Sequence, residues 1–144
     1  MTSYILDASV AAKWFLPAAQ EPLAIEAQRI LKEYATGETD FAVPDLFWPE
    51  LGNIYWKAVW QGRIHAAQAT AALTAMSKHR IPTHPTEPLL DGALALAISH
   101  DRPVYDCIYL ALAILTRKSL LTADERLANA LAARFPIRWL GSIS

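Results

Sequence analysis

The residues of this chain best suited to chemistry are carboxylates at the junctions between short apolar segments and helical ones. Asp7 closes the run SYIL, Asp106 follows the short extended PVY and opens the helix DCIYLALAIL, and Asp124 follows SLLTA. In an open parallel α/β sheet, ligands bind beyond the carboxyl ends of the strands, so these positions would converge on one edge. Each aspartate also suits a structural task, because aspartate is a favoured helix N-cap. Thr122 to Glu125 reads as a capping box with Thr122 at the cap and Glu125 reaching back, which leaves Asp124 free to point elsewhere. Capping explains one carboxylate per helix, not several at one edge without Arg or Lys partners beside them. Such a cluster is repulsive unless a cation offsets it, and Mg²⁺ or Mn²⁺ takes oxygen ligands of this kind while leaving positions for substrate phosphates.

Glu50 lies inside the helical stretch FWPELGNIYWK, where capping cannot account for it. At about 100° per residue, Asn53, Ile54 and Lys57 flank its direction, with Trp48, Tyr55, Trp56 and Val59 roughly opposite. Periodicity alone is equally consistent with a solvated polar face.

The elements that position these residues alternate. Ser3–Leu6, Phe41–Val43, Ile81–His84, Leu120–Thr122 and Ile137–Trp139 are short strand candidates. Helices are expected at Ala8–Leu16, Leu23–Tyr34, Leu46–Trp60, Ala66–Lys78, Leu89–Ser99, Asp106–Arg117 and Asp124–Phe135, punctuated by Pro and Gly. Short strands joined by helices cannot pair as hairpins, so the expectation is a three-layer α/β/α sandwich with a mainly parallel sheet, one domain over residues 1–144.

Composition narrows the rest. A chain of 144 residues, 53% hydrophobic and 19% charged, suits one core that needs neither disulfides nor a structural metal. Its single cysteine, Cys107, cannot form an internal bridge, and the longest apolar run, Cys107 to Leu115, is far short of the roughly 18 residues a membrane span needs. No basic stretch precedes the first apolar run as in a secretory signal, so a cytoplasmic location is expected. A net charge of −1 predicts no partner. The chain has no phosphate-binding glycine loop, dinucleotide fingerprint or nucleophile-elbow serine, and its four histidines lack ligand spacing.

Four blocks in order, YILDASVAAKWFLP, PDLFWPELGNIYWK, PVYDCIYLALA and LLTADERLANA, carry a family resemblance. The whole chain resembles a PIN-domain ribonuclease, most closely the VapC-type toxins of toxin–antitoxin pairs. That resemblance implies a metal-dependent endoribonuclease whose acidic quartet falls on Asp7, Glu50, Asp106 and Asp124, with Mg²⁺ or Mn²⁺ activating water to hydrolyse RNA phosphodiesters. Glu50 enters the quartet through the resemblance alone. The same comparison gives Ser9, Asn53 and Thr122 supporting roles beside the acids, and implies a homodimer with a VapB-like antitoxin whose C-terminal segment blocks the acidic pocket. The chain departs from the family pattern at Asp101, where relatives tend to carry a small residue; this aspartate reads as the end of a helix.

RNA contacts are expected from basic residues outside the quartet, with Lys13 and Arg117 as the candidates and Lys118, Arg126, Arg134 and Arg138 adding to a basic C-terminal end. The aromatic residues Trp14, Trp48, Trp56 and Trp60 exceed what a small sheet needs to cover, and an antitoxin segment is expected among them. Rival readings are a nuclease of this fold in RNA processing without an antitoxin, a catalytically silent binding module, and a phosphatase with Asp7 as nucleophile. The phosphatase reading expects a second acid two residues on, where Ser9 stands.

Overall fold

Strand β1 (Thr2–Leu6) forms the middle of the sheet because its apolar residues leave almost no surface: Tyr4, Ile5 and Leu6 are all buried. The computed structural model describes residues 1–143. On one side of β1 lies β2 (Thr39–Pro44), followed by the two-residue β3 (Thr83–His84); on the other lie β4 (Ser119–Thr122) and β5 (Ile137–Trp139). The order is β3-β2-β1-β4-β5 and every pairing is parallel. Strands continue outward from β1 in both directions, so the order reverses between β1 and β4, the place where parallel sheets open a crevice at their carboxyl ends. Leu6 pairs in register with Leu121, which brings the residues after each strand side by side.

Seven α-helices flank the sheet among the described residues, as the α/β alternation predicts: α1 (Ala8–Ala11), α2 (Ala24–Ala35), α3 (Phe47–Trp60), α4 (Ala66–Ser77), α5 (Leu90–His100), α6 (Val104–Thr116) and α7 (Glu125–Leu131). Gly37 and Gly62, at φ 81° and 75°, stop α2 and α3: Glu38 and Arg63 donate back to the Glu33 and Ala58 carbonyls, a closure that left-handed glycine permits. Asp101 ends α5 in the same left-handed region, at φ 52°, in agreement with its reading as a helix end.

Two local expectations are corrected. The helix expected over Ala8–Leu16 is a single α turn that tightens into a 3-10 turn at Ala12–Trp14. The segment PVY is not extended: Pro103 is the N-cap of α6 and Val104 and Tyr105 are its first two residues, so Asp106 sits in a first helical turn with no strand before it. Proline pre-set at φ −56° outweighs the strand preference of Val and Tyr. Among the described residues, no helix is long and apolar enough to cross a membrane.

Candidate functional site

Asp7 follows β1, Asp124 follows β4, Glu50 projects from the first turn of α3 and Asp106 from the first turn of α6. All four line one cleft of about 510 Å³, together with Asn53 and Tyr105. The sheet edge supplies two of these acids and helix termini the other two, so the convergence expected from strand ends alone is only half the construction.

Asp7 and Asp124 both cap helices. Asp7 Oδ1 accepts the Ser9 N–H at 3.3 Å, and Asp124 Oδ1 accepts the Leu127 N–H at 3.1 Å. The capping box with Thr122 at its head is therefore corrected: Asp124 is the cap of α7. Thr122 instead works across the sheet. Its fully buried hydroxyl donates to Asp7 Oδ2 at 2.7 Å and accepts the Asp124 N–H at 3.0 Å. Ser9 Oγ completes a second link by accepting the Ala123 N–H at 3.1 Å. Ser9 and Thr122 thus brace the β1–α1 and β4–α7 turns against each other. Asn53 lines the cleft from an exposed position on α3.

The electrostatics are those of crowded acids. Burial raises the Asp7 pKa, the Thr122 and Ser9 hydrogen bonds oppose that rise, and Asp124 adds to it. Glu50 is likewise raised by burial and then by Asp7 and Asp106, against the influence of the Tyr109 hydroxyl. Asp106 is raised by burial and by Asp7, with Arg102 countering. Arg102, which no sequence motif marks, lies 3.6 Å from Asp106 Oδ2. It is the only cation paired with the quartet among the described residues. Its position four residues before Asp106, in the turn ahead of an acidic helix start, is the signal that could have found it.

Carboxylate oxygens are the donors a hard divalent cation prefers, and the burial and repulsion that raise three of their pKa values are what such a cation would offset. Among the described residues, no three His, Cys, Asp or Glu side chains stand close enough to hold a metal ion as they are. Coordination would require the flexible acids to rotate inward. The donor set fits a cation; its spacing leaves the cleft open.

The expected RNA contacts fare less well. Lys13 is 8% exposed, and its Nζ donates to the Pro22 carbonyl at 2.8 Å and to Glu21 at 3.2 Å. Arg63 binds the other oxygen of the same Glu21, so Lys13 belongs to a buried ionic clasp and is withdrawn as a surface contact. Arg117 is exposed but ends α6 at the opposite terminus from Asp106, about 16 Å along the axis at 1.5 Å per residue. It therefore stands at the far end of α6 from the acids and does not line the cleft itself. Arg126 is exposed in the first turn of α7, beside Asp124, and Arg138 donates to the Tyr4 hydroxyl. Of the tryptophans, Trp14 is buried with its indole N–H on the Ala27 carbonyl, and Trp48 is half-buried. Trp56 and Trp60 are 60% and 75% exposed and lie nearly parallel with centroids 6.5 Å apart.

Residues 4–131 match the family model described as PIN domain. Ribonuclease VapC3 of Pyrobaculum aerophilum is 30% identical over 127 residues, covering 87% of this chain and 92% of that protein. Among solved structures, PAE2754 from Pyrobaculum aerophilum superposes with a TM-score of 0.68 at 25% identity over 94% of this chain and 83% of the other. A toxin–antitoxin complex from Klebsiella pneumoniae has a chain that superposes with a TM-score of 0.65 at 17% identity, over 95% and 97% of the two chains. With its sheet order, its acid-lined carboxyl edge and these similarities, the chain belongs to the PIN-domain family and is of the VapC type.

Proposed function

We propose that this protein is a metal-dependent endoribonuclease and the toxin of a toxin–antitoxin pair. The observation that carries the reading is the convergence of Asp7, Glu50, Asp106 and Asp124 on one open cleft. In this reading Asp7, Glu50 and Asp106 are the principal ligands of Mg²⁺ or Mn²⁺, and Asp124 joins directly or through water. The cation, when bound, lowers the pKa of its water and offsets charge on the phosphodiester. The chain's own contribution is placement: Thr122 and Ser9 hold Asp7 and Asp124 at fixed separation, Arg102 limits repulsion at Asp106, and Asn53 lines the path a strand of RNA would take.

The relative's name, a ribonuclease, supports RNA as substrate, and the toxin–antitoxin complex among the structural neighbours supports a protein inhibitor. For the antitoxin segment we infer a seat on the exposed Trp56–Trp60 pair and the apolar groove beside it, lined by Tyr55, Val59 and Leu73. This seat and the cleft lie on different faces of α3, with Trp56 and Val59 roughly opposite Glu50, so a segment that fills both must wrap around the helix. A homodimer is supported by a separate apolar face on α5 and α6, where Leu94, Ile98, Ile114 and Leu115 are exposed around a groove without charged residues. Light scattering at micromolar concentration tests the dimer, and a strictly monomeric profile counts against it. The function itself is tested by incubating purified protein with total cellular RNA in Mg²⁺, Mn²⁺ or EDTA. Discrete fragments with either metal and none in EDTA are expected; intact RNA in all three would favour a silent binding module.

A further inference from the structure

Three of the four cleft acids are held by neighbours of known identity. Asp7 is fixed by Ser9 and Thr122, Asp124 by Leu127, and Asp106 faces Arg102. Glu50 has the longest and most flexible side chain of the four, yet its Oε1 is buried without any hydrogen-bond partner. A buried carboxylate oxygen in that state pays desolvation with nothing in return, so a donor should lie on the protein side of the cleft.

One group is placed to be that donor. Tyr109 stands one helical turn beyond Asp106 on α6 and is 2% exposed, and its hydroxyl is also buried and unpartnered. That hydroxyl faces the Glu50 and Asp7 carboxylates and the Ala8 backbone. Facing an ionised carboxylate, which only accepts, a phenol hydroxyl is the donor of the pair. Asp7 Oδ1 and Oδ2 already have donors, which leaves the Glu50 oxygen as the unfilled acceptor.

We propose that Tyr109 is a positioning residue of the cleft: its hydroxyl donates to Glu50 Oε1, pins the carboxylate, and leaves Oε2 directed at the cation and substrate. The two orphaned atoms thereby satisfy each other. No bond to substrate is involved. The same spacing explains the use of α6, since a helix that offers Asp106 to the cleft offers the residue three positions later to the same side.

The role rests on the metal-dependent reading above, and the test separates the two. Manganese binding is measured by titration calorimetry, and RNA cleavage and thermal unfolding are followed in parallel, for Tyr109→Phe, Glu50→Ala and the double variant. Tyr109→Phe should weaken Mn²⁺ binding about 10- to 100-fold, the usual effect of losing a group that orients a ligand. It should lower kcat without raising KM for RNA, and lower Tm by a few degrees, because the buried Glu50 oxygen loses its donor. In the Glu50→Ala background it should have no further effect on Mn²⁺ affinity. Wild-type Mn²⁺ affinity in Tyr109→Phe, a loss that persists undiminished without Glu50, or a fall in Tm with unchanged affinity would each overturn the role. If Glu50→Ala alone leaves binding and cleavage at wild-type values, the metal-dependent reading falls with it.

Discussion

Thr122→Val is the substitution whose effect can be worked most directly from the structure. Valine keeps the shape of the buried threonine and removes only the hydroxyl, which serves Asp7 Oδ2 at 2.7 Å and the Asp124 N–H at 3.0 Å. Losing a hydrogen bond to a carboxylate costs about 1.5–3 kcal/mol, and stranding a buried N–H about 1–3 kcal/mol. The two bonds share one oxygen and their carriers can relax together, so the joint loss should be about 2–4 kcal/mol. At about 2–4 °C per kcal/mol for a chain of this size, Tm falls by roughly 5–12 °C. The pH dependence identifies the cause. Thr122 favours the ionised form of Asp7, whose folded pKa burial lifts above the usual aspartate value. Its contribution through Asp7 is therefore absent while Asp7 is protonated and grows as pH rises through that folded pKa. Thermal unfolding in EDTA, followed by circular dichroism across a pH series from about pH 4 to about pH 8, should show a loss that grows toward the alkaline end. A fall in Tm below about 2 °C, or one that does not grow with pH across the series, would refute the brace between the two turns.

Three further outcomes follow from the same geometry. Because Asp7, Glu50 and Asp106 bind protons more tightly in the folded cleft than in the unfolded chain, they favour folding at low pH and lose that contribution as pH rises through their raised values. Metal-free protein should thus lose Tm between mildly acidic and alkaline pH, and Mn²⁺ should restore more at the alkaline end; scanning fluorimetry with and without EDTA checks this. Arg102→Ala removes the countercharge that lowers the Asp106 pKa, so the acid limb of the cleavage profile should move to higher pH. The pair is partly solvated, so stability should change by under about 1 kcal/mol. Lys13→Met should cost about 1–3 kcal/mol by breaking the clasp on Glu21, while RNA cleavage per folded molecule stays unchanged; a selective loss of RNA affinity would return Lys13 to the interface.

What could be read from the sequence divides along physical lines. The strands SYIL and SLLT and the strand IRW were legible because runs of β-forming apolar residues bounded by turn residues have few alternatives. The parallel sheet followed from the helices between them. Asp7 and Asp124 were legible as strand-end residues. Asp106 was found for a partly wrong reason, since PVY is the start of a helix and Pro103 its cap. Glu50 was not legible from periodicity, which cannot tell an inward polar stripe from a solvated one; only the family pattern singled it out. Tyr109 and Arg102 were hidden by their surroundings, one inside an apolar helix where an aromatic reads as packing, the other in a turn whose direction depends on tertiary structure. Lys13 misled for the converse reason: a lone cation in sequence gives no sign of the Glu21 and Pro22 acceptors that bury it.

The most direct test of the acidic cleft as a nuclease site is single-turnover cleavage of an end-labelled RNA at saturating Mn²⁺ by the wild-type protein and by Asp7→Asn, which keeps the side chain's shape and removes its charge. The account predicts a rate lower by at least about 10²–10³-fold in the variant, with circular dichroism unchanged. Rates within about threefold of each other would contradict it, because the acid at the centre of the sheet edge would then be a helix cap and nothing more.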